Sequence, residues 1–192
     1  MPSERPALFL DRDGVINEDS GYVYRIDDFR FLPGALEGCR RFHDAGYMIV
    51  VVTNQAGIAR GYYTENDFKV LTRWMCSQFT KFGAPISAVY HCPHHPDGIV
   101  RQYSTICECR KPAPGLLIRA RKDLSIDMRH SILVGDKVSD VLAAQAANVG
   151  RSYFLGSTAH MCTSSPPGAT CNTATKLSTL AMIADSALPP TR

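Results

Sequence analysis

Apolar residues in this chain fall into short continuous runs, and the stretches between them repeat every three to four residues. The runs Ala7–Leu10, Tyr47–Thr53, Ala88–His91, His130–Val134 and Ser152–Leu155 have the length of strands, and the first two are apolar almost throughout. A strand apolar on both faces lies between two layers, as in a parallel sheet. Pro33-Gly34 opens a helix to about Ala45, carried by Leu36, Cys39 or Arg40, and Phe42-His43, and stopped by Gly46. Thr64 with Asp67 resembles a helix cap, and Phe68, Leu71, Met75, Phe79 and Phe82 then recur at helical spacing until Gly83. Trp74 sits beside that stripe and reads as core packing. Further helices are expected over residues 114–124, 139–148 and 176–187. The segment from Glu18 to Leu32 and the glycine-punctuated segment from Ala56 to Gly61 read as loops, the first lying over a site.

Strand, helix and strand in alternation predict an α/β protein, a three-layer, doubly wound, mostly parallel sheet of Rossmann type. The 192 residues suffice for a single domain over 1–192, with its core at about 7–155 and a weakly patterned Ser-, Thr-, Pro- and Ala-rich tail over 156–192. No insertion is long enough for a large cap domain. Composition changes this picture little: 45% of residues are hydrophobic, 20% are charged, and the net charge is +3. That charge is too small to argue for nucleic acid and suits an anionic small molecule. No apolar run has membrane-spanning length and no signal-peptide core is visible, so a cytoplasmic monomer without nucleic-acid or membrane partners is expected. Seven cysteines in a reducing compartment point to metal or free thiols rather than disulfides. Cys39 and Cys76 fall within helices as core thiols, and Cys162 and Cys171 fall in the tail.

The candidate chemistry sits where the apolar runs end. Asp11 and Asp13 follow the first run, Thr53 closes the second, Asp136 follows the fourth, and Arg110-Lys111-Pro112 precedes a helix. Alone, Asp11-Arg12-Asp13-Gly14 reads equally well as an acidic turn. In a parallel sheet, however, the carboxyl ends of the strands gather on one edge, where ligands bind. A nucleophilic carboxylate, a second carboxylic acid, a hydroxyl, a cation and a third carboxylate together suit phosphoryl transfer. Asp11 is the expected nucleophile, forming an aspartyl-phosphate. Asp13 is the expected proton carrier. Thr53 and Lys111 are expected on the equatorial phosphate oxygens, and Mg²⁺ among Asp11, Asp13 and Asp136. Asp140, four residues after Asp136, is placed to orient the metal shell or Lys137.

These motifs, Asp11-Arg12-Asp13-Gly14, Thr53-Asn54, Lys111-Pro112 and Gly135-Asp136 with Asp140, resemble in order those of the haloacid-dehalogenase (HAD) superfamily of phosphatases. Cys92-Pro93-His94 and Cys107-Glu108-Cys109 add a Cys-x-His and a Cys-x-Cys pair across a twelve-residue loop. Three thiolates and an imidazole would make a closed, structural zinc site, with His91 and His95 as neighbouring candidates for the histidine. Unpaired buried thiols or a disulfide are the plainer readings of the same residues.

The stretches Asp-Arg-Asp-Gly-x-Ile-Asn, Gly21-Tyr22-Val23, Val-Val-Thr-Asn-Gln-x-Gly-Ile-Ala-Arg-Gly, Cys-Pro-His-His-Pro, Cys-x-Cys-Arg-Lys-Pro and Val-Gly-Asp-Lys are similar to the heptose-1,7-bisphosphate 7-phosphatase family. The resemblance runs from about Leu8 to Gly150, departing at Ala113, where relatives often carry histidine. It implies removal of the 7-phosphate of a heptose bisphosphate on the way to nucleotide-activated heptose and lipopolysaccharide. It also implies zinc on Cys92, His94, Cys107 and Cys109. Substrate contacts are implied at Asp19, Ser20, Gly21, Tyr22, Thr53, Asn54, Gln55, Arg110, Lys111 and Lys137, with Arg110 also near the chemistry. Histidinol-phosphate phosphatases share the fold, the motifs and a similar zinc loop. A phospho-accepting receiver domain shares the residue types, but it lacks an acid two residues after its aspartate.

Overall fold

A computed structural model describes residues 4–155 and 179–189. Five strands, β1 (Ala7–Leu10), β2 (Met48–Asn54), β3 (Ile86–Cys92), β4 (Ile132–Gly135) and β5 (Arg151–Phe154), form one parallel sheet in the order β3-β2-β1-β4-β5. Alternation along the strands divides the core in two. Leu8, Leu10, Ile49, Val51, Ile132 and Val134 face one layer, and Ala7, Phe9, Val50, Val52 and Leu133 face the other. The first layer is built from α1 (Ala35–Asp44), α3 (Glu65–Lys81) and α6 (Leu180–Ala187), the second from α4 (Gly115–Leu124) and α5 (Val138–Ala146). Fully burying a Leu or Phe side chain contributes roughly 1.5–3 kcal/mol, and β1, with all four residues buried, lies at the centre of the sheet.

The helix bounds follow local signals. Thr64 accepts from the Asp67 N–H while the Asp67 carboxylate accepts from the Thr64 N–H, a reciprocal cap that starts α3. Phe68, Leu71, Met75 and Phe79 are buried, and Trp74 packs partly buried against the same core. Phe82 departs from the expected stripe. It caps the C-terminus of α3 and is 40% exposed, because the helical period ends with Lys81 and no longer aims the ring inward.

Residues 56–61 are not wholly loop either. Ala56–Ala59 form the short helix α2, held by burial of Ile58 and Ala59. The segment from Glu18 to Leu32 is largely irregular, as expected, with a single 3-10 turn at Ile26–Asp28. Of the expected last helix, residues 180–187 are helical, and residues 176–178 lie outside the described residues, as do Cys162 and Cys171. Helix α6 adds Leu180, Ile183 and Ala184 to the core and packs on α1 at Gly38, where a Cβ would come within 2.6 Å of the Leu180 backbone. Cys39 is fully buried and Cys76 partly so.

Candidate active site

The chain runs outward from β1 through β2 to β3, then crosses to β4 and β5 on the other side. The strand order therefore switches at β1 and β4, where a crevice opens beyond the strand ends. The four sequence motifs meet at that crevice. A cavity of about 460 Å³ is lined by Asp11, Asp13, Asp19, Gly21, Tyr22, Asn54, Gln55, Arg110, Lys111 and Lys137, all expected from sequence. Ala56, Tyr63, Ser139 and Asp140 line it too. Among the expected residues, Thr53, Ser20 and Asp136 do not line it. Thr53 is buried behind Gln55, whose amide donates to its hydroxyl at 2.8 Å, and Ser20 is exposed on the covering loop.

Lys111 is buried at the centre. Its ammonium donates to the Val52 carbonyl at 2.7 Å and lies 3.1 Å from Asp11 Oδ1 and 2.6 Å from Asp140 Oδ1. Burial alone would push its pKa down, but the two carboxylates outweigh burial and hold it above the ordinary lysine value. Asn54 fixes the same segment from the next strand, donating to the Lys111 carbonyl and accepting its N–H. Asp140 also accepts the Lys137 N–H at 3.0 Å, which caps α5. The Lys137 ammonium reaches across to Asp19 at 3.0 Å and ties the covering loop to the end of β4.

Asp11, Asp136 and Asp140 bring carboxylate oxygens within 4.8 Å of one another, a group that could hold a metal. The Asp13 carboxyl is not part of it. Arg12, Asn17 and Gln55 claim its oxygens. Asp136 Oδ1 is buried with no hydrogen-bond partner among the described residues. Burial, with Asp11, Asp140 and Asp19 as like charges and Lys137 opposing, raises the Asp136 pKa to about 7. An orphaned, reluctantly ionised carboxyl beside two others fits a hard divalent cation. Gly14 makes room for it: with φ at +83°, a Cβ there would fall 2.2 Å from Asp136 Oδ2.

The raised Asp136 pKa makes stability depend on pH. A group whose folded pKa is raised above its unfolded value gives stability that is full below the unfolded value and lost as pH rises through the folded one. For Asp136 the window runs from about pH 4 to about 7. Metal-free protein is therefore expected to melt at lower temperature at pH 8 than at pH 5, with added Mg²⁺ flattening the difference. Melting curves across this range check it.

Away from the crevice, Cys92 Sγ, His94 Nδ1, Cys107 Sγ and Cys109 Sγ converge within 4.8 Å. The sulfurs stand 3.1, 3.3 and 3.5 Å apart, and His94 Nδ1 lies 3.3 Å from Cys109 and 3.7 Å from Cys92. These gaps are too long for a disulfide. They approach the edges of a tetrahedron with metal–sulfur bonds of about 2.3 Å, roughly 3.7 Å between sulfurs. His91 and His95 stand outside the cluster. His91 faces Glu65, and His95 faces Arg60 and Asp97.

Compared with known proteins, residues 8–158 match the protein-family model described as Polynucleotide kinase 3 phosphatase. The D-glycero-beta-D-manno-heptose-1,7-bisphosphate 7-phosphatase of Yersinia pestis is 51% identical over 155 residues, spanning 81% of this chain and 82% of that protein. The chain belongs to the heptose-1,7-bisphosphate 7-phosphatase family. Among solved structures, a HAD-like phosphatase from Mesorhizobium loti superposes with a TM-score of 0.75 at 35% identity, covering 81% of this chain and 74% of that one. The D,D-heptose 1,7-bisphosphate phosphatase of B. bronchiseptica, complexed with magnesium and phosphate, superposes with a TM-score of 0.69 at 31% identity, covering 78% and 80%. The fold is thus that of a HAD-like phosphatase, without a large cap among the described residues. Of the two phosphatase readings open from sequence, these relatives carry the heptose name and not the histidinol-phosphate one.

Sequence patterning did not single out Tyr63, Ser139 or Ala56 as part of this family's site in the present chain. Tyr63 sits just before the α3 cap and donates its hydroxyl to Gln55 Oε1. A polar aromatic between a buried turn and a helix start was the available signal.

Proposed function

We propose that this chain removes the 7-phosphate of D-glycero-D-manno-heptose 1,7-bisphosphate through an aspartyl-phosphate on Asp11, in the cytoplasmic assembly of ADP- or GDP-heptose for lipopolysaccharide. The observation that carries the reading is the placement of Asp11 at the floor of the cavity, 3.1 Å from a buried lysine.

Asp11 presents a carboxylate oxygen to phosphorus while Lys111 offsets the charge that builds on the equatorial oxygens. As the Asp11–phosphorus bond forms and the bond to the sugar breaks, the Asp13 proton passes to the leaving alcohol. Water then gives a proton back to Asp13 and attacks phosphorus, releasing inorganic phosphate and the Asp11 carboxylate. Asp11 and Asp136, beside Asp140, would hold Mg²⁺, which would supply further neutralisation of the phosphate. Thr53 would act from behind the cavity wall, holding the Gln55 amide that lines it. Arg110 and Lys137 provide fixed cations at the rim for the second phosphate, and Arg110 offers a planar fork for it. The loop bearing Asp19, Gly21 and Tyr22 forms the opposite wall and selects the sugar, a role left to small loops because the described residues hold no large cap.

Cys92, His94, Cys107 and Cys109 would hold a structural Zn²⁺, closed to water because all four positions are protein atoms. It would clamp the loop directly before Arg110, whose guanidinium also contacts the His94 carbonyl. Metal analysis after removal of loosely bound ions is expected to find about one zinc per chain. Cys109→Ser is expected to lose it and to melt about 5–10 °C lower, equivalent to roughly 2–3 kcal/mol. A wild-type protein free of zinc would refute the clamp.

Phosphate release from both anomers of heptose bisphosphate, with Mg²⁺ and against histidinol phosphate, tests the function. Higher kcat/KM on a heptose bisphosphate is expected. Preference for histidinol phosphate would overturn the substrate and leave the chemistry standing.

A further inference from the structure

The proton carrier is gripped by two buried side chains that the reaction above does not use. Arg12 Nε and Nη2 donate to Asp13 Oδ1 at 3.2 and 2.9 Å, and Nη2 also reaches Oδ2 at 2.9 Å. Asn17 Nδ2 donates to Oδ1 at 3.0 Å, and Gln55 closes the other side at 3.2 Å from Oδ2. Arg12 and Asn17 are 1% and 0% exposed.

Both side chains also leave a polar atom without a partner among the described residues, Arg12 Nη1 and Asn17 Oδ1. An unpaired buried polar atom is unfavourable. The two residues are therefore oriented to serve their acceptors rather than to complete their own bonding. For Asn17 the acceptors are Asp13 and the Glu18 carbonyl, and for Arg12 they are Asp13 and the Val23 carbonyl. Backbone bonds lock the arrangement, since the Gly14 N–H donates to the Asn17 carbonyl at 2.7 Å and the Asn17 N–H to the Arg12 carbonyl at 3.2 Å. A turn closed this way fixes Asn17 against Asp13 before substrate arrives.

We propose that Arg12 and Asn17 are positioning residues that hold the Asp13 carboxyl in one orientation and thereby set how efficiently it protonates the leaving alcohol. This rests on Asp13 being the proton carrier, so the test separates the two ideas. The probes are the heptose bisphosphate, whose alkoxide leaves only when protonated, and p-nitrophenyl phosphate, whose phenolate leaves unaided. The readout is kcat/KM, which covers the steps through departure of the first alcohol. Asp13→Asn is expected to lose about 100-fold or more on the sugar and little on the aryl ester.

Asn17→Ala in the full chain is expected to lose about tenfold on the sugar and less than about twofold on the aryl ester. In the Asp13→Asn background it should cost nothing further, because it acts only through Asp13. Arg12→Lys, which keeps the charge and the stem, should repeat this selectivity and serves if Asn17→Ala does not fold. Equal losses on both esters, no loss on either, or a full tenfold loss on top of Asp13→Asn would overturn the positioning role. Equal losses on both esters in Asp13→Asn itself would instead overturn the role of Asp13.

Discussion

Asp11→Asn is expected to fold and to lose at least about four orders of magnitude in turnover, roughly 5.5 kcal/mol of barrier. An amide of the same shape cannot displace the sugar oxygen from phosphorus, so the two-step route is closed rather than slowed. The fold should survive, for two reasons of opposite sign. Lys111 loses one carboxylate partner but keeps Asp140 at 2.6 Å. Asp136 loses a like-charged neighbour that now helps to raise its pKa. Steady-state phosphate release measures the first claim, and acid-quenched mass spectrometry should find a phosphorylated chain only with Asp11 intact. Turnover within tenfold of the wild type would remove Asp11 from the nucleophile's role.

Lys111→Met should damage both stability and activity. The ammonium is buried and stands between Asp11 and Asp140. Removing one partner of a buried ionic group strands the other charges, which typically costs about 3–5 kcal/mol. For a chain of this size that lowers the melting temperature by about 10 °C. The pH dependence has a definite sign. Because the folded Lys111 pKa is raised, its contribution is full at neutral pH and is lost only as pH rises through the folded value, above the ordinary lysine range. The stability gap between wild type and variant should therefore close in strong alkali. Turnover should fall about 100- to 1,000-fold, the usual loss when one preorganised positive group on the transition state is deleted. A variant with unchanged melting and turnover would mean that Lys111 is neither a structural nor a phosphate cation.

The sheet and its catalytic edge were legible because each signal was continuous in sequence. β1 and β2 are uninterrupted apolar runs, and Asp11, Thr53 and Asp136 come at or directly after strand ends, so a parallel arrangement brings them together. The cysteine and histidine cluster was legible from spacing alone. Less legible was anything that depends on packing between segments far apart in sequence. Asn17 was visible in the Asp-Arg-Asp-Gly-Val-Ile-Asn stretch, but its contact with Asp13 requires the turn closed by Gly14. Asp11 and Asp13 sit two residues apart, yet in the fold their carboxyls face different partners, and Asp140 joins Asp11 and Asp136 from the next helix. Four residues with an internal glycine were too short to announce α2. Phe82 kept the helical period one step past the last turn that could bury it.

The seating of α6 on α1 at Gly38 bears on synthesis. Ribosomes release the N-terminal residues first, so β1, α1 and β2 can meet while residues 180–187 are still unmade. Until then Cys39 and Phe42 have no α6 beside them, and one face of the core is open to water. A nascent chain halted after β5 would leave that apolar surface exposed, where self-association or a chaperone would compete for it. The last helix thus decides when the newly made protein stops being adhesive, long after its catalytic residues have been joined to the chain.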